Sequence, residues 1–104
     1  MQKRILCEER LRRVPSGFSW VDHRLVRERH LLKADAKAWA LYLVLVTVGD
    51  EHGVSYYGEE SLGRLLSLGL LEITEARRQL VAAGLIAYER PFYQVLSLEP
   101  VSDD

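Results

Sequence analysis

The stretch from Ser61 to Ile86, SLGRLLSLGLLEITEARRQLVAAGLI, decides how the rest of the chain is read. Leu62, Leu65 and Leu66 are spaced as the buried stripe of a short helix running from Gly58 to about Leu66. Glu59 and Glu60 lie in its first turn, where acidic groups suit the helix dipole. Gly63 is small at a point where another helix can approach closely. Ser67-Leu68-Gly69 forms a turn, with Leu68 as its buried apolar residue and Gly69 as the cap of the next helix. That helix spans Leu70 to Ala83. Ile73, Ala76 and Leu80 recur at intervals of three and four and mark its core side, leaving Leu71, Thr74, Glu75 and Arg78 outside. Gly84 stops the helix, and Leu85-Ile86 begins a strand.

Downstream, Leu85 to Arg90 and Phe92 to Leu98 read as a hairpin turning at Arg90-Pro91. Tyr93 and Val95 share one face of its second strand, and Phe92, Leu96 and Leu98 take the opposite phase. Both faces of that strand are apolar. One therefore needs cover, either from the N-terminal arm or from a second copy of the chain. Residues 100–104 form an acidic tail.

Upstream, Ala34 to Glu51 is the longest helix candidate. Asp35 stands at its start, as a cap or in the first turn, and Gly53 suits a left-handed stop. The run AWALYLVLVTV, Ala38 to Val48, is apolar nearly all round, so the helix is expected to be central. Its Val-rich end also suits a buried strand, but a length above ten residues favours a helix. Val54 to Tyr57 is a short strand. Before this, a helix is expected over about Asp22 to Arg29, with Phe18 and Trp20 docking the segment onto the domain or, as the alternative, forming an exposed aromatic partner site. Residues 1–17 are a charged arm broken at Pro15-Ser16-Gly17, with a helix over Lys3 to Arg13 as one option.

The chain has 104 residues, 48% of them hydrophobic, which fits one domain with a core, here placed over residues 18–99 and centred on 34–98. Net charge is −1, but its halves differ. Residues 1–37 hold ten cations against five acids, +5, which leaves −6 for residues 38–104. A basic half suggests an anionic partner, and a solvated arm that pairs with its own acidic domain is the plainer alternative. The single cysteine, Cys7, allows no internal disulfide. No secretory leader is apparent, and the longest apolar run is about half a membrane span. A cytoplasmic protein with no membrane partner is expected.

The order helix, strand, helix, helix, hairpin resembles the winged-helix superfamily, a mainly α helix-turn-helix fold with a small β-hairpin wing. ARRQLVAAGLI, Ala76 to Ile86, looks like the end of the recognition helix and the start of the wing in many bacterial members. Ser61-Leu62 with Leu65-Leu66 resembles the preceding helix. The match covers residues 34–98, and is closest to domains of bacterial replication-initiation, primosomal, mobile-element or transcription accessory proteins. The resemblance implies double-stranded DNA as partner. By position it implicates Leu71, Glu72, Thr74, Glu75 and Arg78, with Arg77 beside them and Arg90 on the wing. Arg10, Arg12 and Arg13 would add phosphate contacts from the arm.

The sequence also departs from that pattern. A DNA-reading helix presents polar or basic residues at its N-terminal end, whereas this one presents Leu70, Leu71 and Glu72. Leu71, Phe92 and Leu96 therefore stand as candidates for a protein interface, with a second copy or a larger protein as partner. No catalytic constellation, phosphate-binding glycine loop or clustered metal-ligand set is visible: Cys7, His23, His30 and His52 are scattered. No enzymatic activity and no cofactor are expected.

Overall fold

Asp35 starts the first long helix as a true N-cap: its side chain accepts from the Ala38 amide at 2.9 Å. In this computed structural model, which describes residues 2–98, four helices and three strands follow in the order α1 (Arg24–Arg27), α2 (Ala36–Val48), β1 (Val54–Tyr56), α3 (Glu59–Leu66), α4 (Leu70–Ala82), β2 (Ile86–Glu89) and β3 (Phe92–Val95). Short 3-10 turns occupy Glu8–Arg10 and His30–Lys33. The strands form one antiparallel sheet in the order β1-β3-β2, so β1 extends the hairpin rather than standing alone. Tyr93 pairs with Ser55 on one side and Tyr88 on the other.

The core lies where α2, α4 and the sheet meet. Leu41 and Leu45 of α2, Ile73, Ala76 and Leu80 of α4, and Leu85, Ile86 and Tyr93 of the hairpin are buried together. The stripe read from α4 is the stripe that is buried. Burying an aliphatic side chain of this size contributes about 1.5–3 kcal/mol. α2 is less central than its composition suggests. Ala38, Leu41, Tyr42 and Leu45 face the core, but Leu43 is exposed. The helix ends at Val48, three residues earlier than expected, with Gly49 as its C-cap. Gly53 adopts the left-handed region (φ +81°) but belongs to the following turn, where Asp50 Oδ1 accepts from the His52 and Val54 amides.

Three further expectations are corrected. Leu65 is 60% exposed, because the two-turn α3 buries only its Leu62 side. Leu98 does not share the outer phase of Phe92 and Leu96: β3 stops at Val95, and Leu98 turns back into the core. Residues 3–13 form no helix beyond the turn at Glu8–Arg10. That segment has no packed face, and an isolated helix of this length is marginal in water.

Segment 22–34 is held by Leu25, which is buried, and by Trp39, whose Nε1 donates to the Leu31 carbonyl at 3.0 Å. Phe18 and Trp20 do not do the docking; they are 68% and 75% exposed. The expected helix there shrinks to one turn, because Arg29 adopts a left-handed conformation (φ 63°) and ends it. No helix among the described residues is long and apolar enough to cross a membrane.

The turn between α3 and α4 sets their mutual angle. Ser67 is left-handed, and the Leu68 amide donates back to the Gly63 carbonyl at 3.0 Å. The close neighbour of Gly63 is this turn, not another helix: a β-carbon there would lie 2.7 Å from the Leu68 carbonyl oxygen. Gly63→Ala therefore sets two effects against each other. Helix propensity favours alanine by about 1 kcal/mol. Forcing a backbone carbonyl aside costs about 1–3 kcal/mol. The clash is expected to win, lowering stability by up to about 2 kcal/mol in urea unfolding. A stabilised variant would show that the turn gives way freely.

Candidate functional site

The outward side of α4 carries more charge pairing than free charge. At its N-terminal end the Gly69 amide donates to Glu72 Oε1 at 2.9 Å, so the acid at the third helical position closes back on the cap. Lys37 of α2 forms an ion pair with the same Glu72. Lys37 and the Gly69 amide hold the Glu72 carboxyl below its ordinary pKa. One turn on, Arg78 grips Glu75 with two hydrogen bonds, at 2.8 and 2.6 Å. Gln79 Nε2 donates to Glu75 at 3.1 Å and to Asp35 at 3.1 Å, while Gln79 Oε1 accepts from the Asp35 amide at 2.8 Å. This amide ties α4 to the start of α2. Nothing in the spacing singled Gln79 out, because its partner lies 44 residues earlier.

Arg78, and then Gln79, lower the Glu75 pKa to about 2. Asp22 is lowered equally, to about 2, by the Arg24 guanidinium and amide. Groups with depressed pKa values contribute fully above the ordinary carboxylate value of about 4 and lose that contribution as pH falls towards about 2. The Glu75–Arg78 pair is solvent-exposed and the Asp22–Arg24 pair only half-buried, so the effect is modest. The urea midpoint is expected to fall between about pH 5 and pH 2, and a Glu75→Gln, Asp22→Asn chain should fall less over that window. Equal slopes for the two chains would refute it.

Arg77 stands apart from the residues it was grouped with. Its side chain is only 13% exposed and turns inward. It pairs with Glu59 at 2.8 Å, donates to the Tyr93 hydroxyl at 3.0 Å, and lies 4.3 Å from the centre of the Tyr88 ring. Burial pulls its pKa down, but Tyr93 and Glu59 outweigh this and raise it. The guanidinium is a clasp between α4, α3 and the hairpin, and this corrects its assignment as an outward contact. The signal was present: Arg77 lies four residues after the core residue Ile73, on the same stripe.

Thr74, Arg78 and Leu71 do face outward, and Leu71 is 85% exposed. Arg90 is exposed in the turn of the hairpin. Phe92 is exposed on the outer sheet face, edge-on to Tyr56 with ring centres 6.1 Å apart. Leu96 is half-buried at the edge of a groove.

Arg10, Arg12 and Arg13 are exposed and form no ion pair among the described residues. The arm joins the domain through Ser19, whose Oγ donates to the Thr47 carbonyl at 3.4 Å. Thr47 lies about 15 Å along α2 from Lys37, by the helical rise. The arm and the N-terminal end of α4 thus attach to opposite ends of α2. Beside Ser19 lies a groove of about 670 Å3, walled by Phe18 and Trp20, the end of α2, the turn at Gly49–Gly53 and the end of β3.

Comparison of this chain with protein-family models, with curated proteins and with solved structures gives no match.

Proposed function

We propose that the chain is a winged-helix accessory protein that binds double-stranded DNA, with the N-terminal arm supplying the electrostatics. The order α2-β1-α3-α4-β2-β3 and the sheet order β1-β3-β2 support the winged-helix reading. One observation carries the role of the arm. Both arginines of α4 are matched to carboxylates, Arg77 to Glu59 and Arg78 to Glu75, whereas Arg10, Arg12 and Arg13 are exposed without acidic partners among the described residues. Non-specific affinity for DNA comes from phosphate neutralisation and the release of counterions. α4 has little net charge to offer. The arm has a surplus, and Thr74, Arg78 and Arg90 supply further polar contacts from the domain. An accessory role in replication, transcription or mobile-element transfer fits a domain that positions DNA without chemistry of its own. The test is fluorescence anisotropy with a random-sequence duplex across a salt series. Affinity is expected to fall steeply as salt rises, and binding weaker than millimolar at low salt would overturn the reading.

A second reading draws on Leu71. This residue, with Leu70 beside it, is exposed where a DNA-reading helix presents polar groups. An exposed apolar pair suits a protein partner, with α4 as the contact surface. Leu71→Asp is then expected to abolish assembly, read by light scattering, without changing the unfolding free energy in urea by more than about 0.5 kcal/mol. Unchanged assembly would remove this reading.

A further inference from the structure

We propose that the groove at the C-terminal end of α2 receives the N-terminal arm of a second copy of this chain. Its floor and walls are apolar, from Tyr42, Leu45 and Val46 on α2 and Leu96 and Leu98 after β3. Its rim is acidic. Asp22 and Arg24 cancel each other in a 2.8 Å ion pair, leaving Asp50 and Glu51 as the net charge. Among the described residues this groove has an apolar interior and a negative edge, and the arm has the opposite pattern.

Leu11 and Val14 of the arm are exposed, flanked by Arg10, Arg12 and Arg13. Leu11 has φ −57° and ψ 135°, and Val14 precedes a proline, which holds it extended. Such a backbone repeats every three residues, so Leu11 and Val14 fall on one side and Arg12 and Arg13 on the others. The apolar side can enter the groove while the arginines meet Asp50 and Glu51 at its edge.

The occupant is the arm of another copy rather than the chain's own. The arm leaves the groove wall at Phe18, and residues 2–17 are exposed throughout instead of folding back over it. Exchange between two copies is also reciprocal. Each arm fills the partner's groove, so one pairing forms two equivalent contacts related by the two-fold axis.

The inference does not rest on DNA binding. Its test uses the one cysteine, Cys7, which is exposed on the arm. A chain spin-labelled at Cys7 is mixed with an isotopically labelled Cys7→Ser chain at about 1 mM total protein. Broadening of the Glu51, His52, Gly53 and Ser97 amides of the unlabelled-cysteine chain is expected, with a dimer by light scattering that weakens as salt rises. The L11S/V14S variant should lose both signals. Both side chains are exposed in the free chain, so misfolding would not explain that loss. The variant keeps every arm cation, so DNA affinity separates this inference from the reading above. Broadening of these amides in a chain that carries both the spin label and the isotopes, with none between chains in the mixture, means the arm folds onto its own groove and would overturn the proposal. A monomer with no broadening between chains would overturn it as well.

Discussion

Arg77→Ala is expected to lower the unfolding free energy by about 2–3 kcal/mol while leaving DNA affinity per folded chain unchanged. The substitution removes an ion pair to Glu59, a charged hydrogen bond to the Tyr93 hydroxyl and the stacking on Tyr88. A charged hydrogen bond contributes about 1.5–3 kcal/mol. Breaking a fully buried ion pair costs about 3–5 kcal/mol. Here Glu59 retains enough exposure to be rehydrated, which holds the cost below that range. For a domain of this size a loss of 2–3 kcal/mol corresponds to a fall of roughly 10 °C or more in Tm. Urea and thermal unfolding measure the first half, and anisotropy on the folded fraction measures the second. Unchanged stability with lost DNA affinity would show that Arg77 points outward after all.

The converse is expected of the arm. The R10A/R12A/R13A variant should unfold at the same urea midpoint as the parent and bind a random duplex on the order of 100-fold more weakly at about 0.1 M salt. None of the three side chains packs on its own domain, so in dilute solution, where arms are not exchanged between copies, the fold has nothing to lose. Each phosphate contact carries a log–log salt slope of about −0.9, so losing three flattens the slope by nearly 3. The two variants therefore separate the arginines by role. A shared effect on both observables would show that arm and domain act as one folded surface.

The helices around the central turn were the most legible part of the chain. Gly58, Gly69 and Gly84 punctuate α3 and α4 where the structure starts and stops them, and the Ile73, Ala76, Leu80 stripe is the buried one. Local signals did this. Several of the failures depend on partners far away in sequence. Leu65 has the spacing of a core residue, but the short α3 meets nothing on that side. Arg77 looks like a surface cation until Glu59, Tyr88 and Tyr93, from three other places in the chain, gather round it. Phe18 and Trp20 look like anchors, yet the anchoring falls to Leu25 and the Trp39 indole. The charge asymmetry of the chain was fully visible in composition. Which cations remain unpaired was not, because pairing is decided in space, as Lys37 with Glu72 shows.

The most direct measurement is a salt series of DNA binding by the full chain and by a chain lacking residues 1–16. If the arm supplies the electrostatics, removal of Lys3, Arg4, Arg10, Arg12 and Arg13 flattens the log–log slope by about 4 to 5 and weakens binding most at low salt. Equal slopes for the two chains would contradict it and return the phosphate contacts to α4 and the hairpin turn.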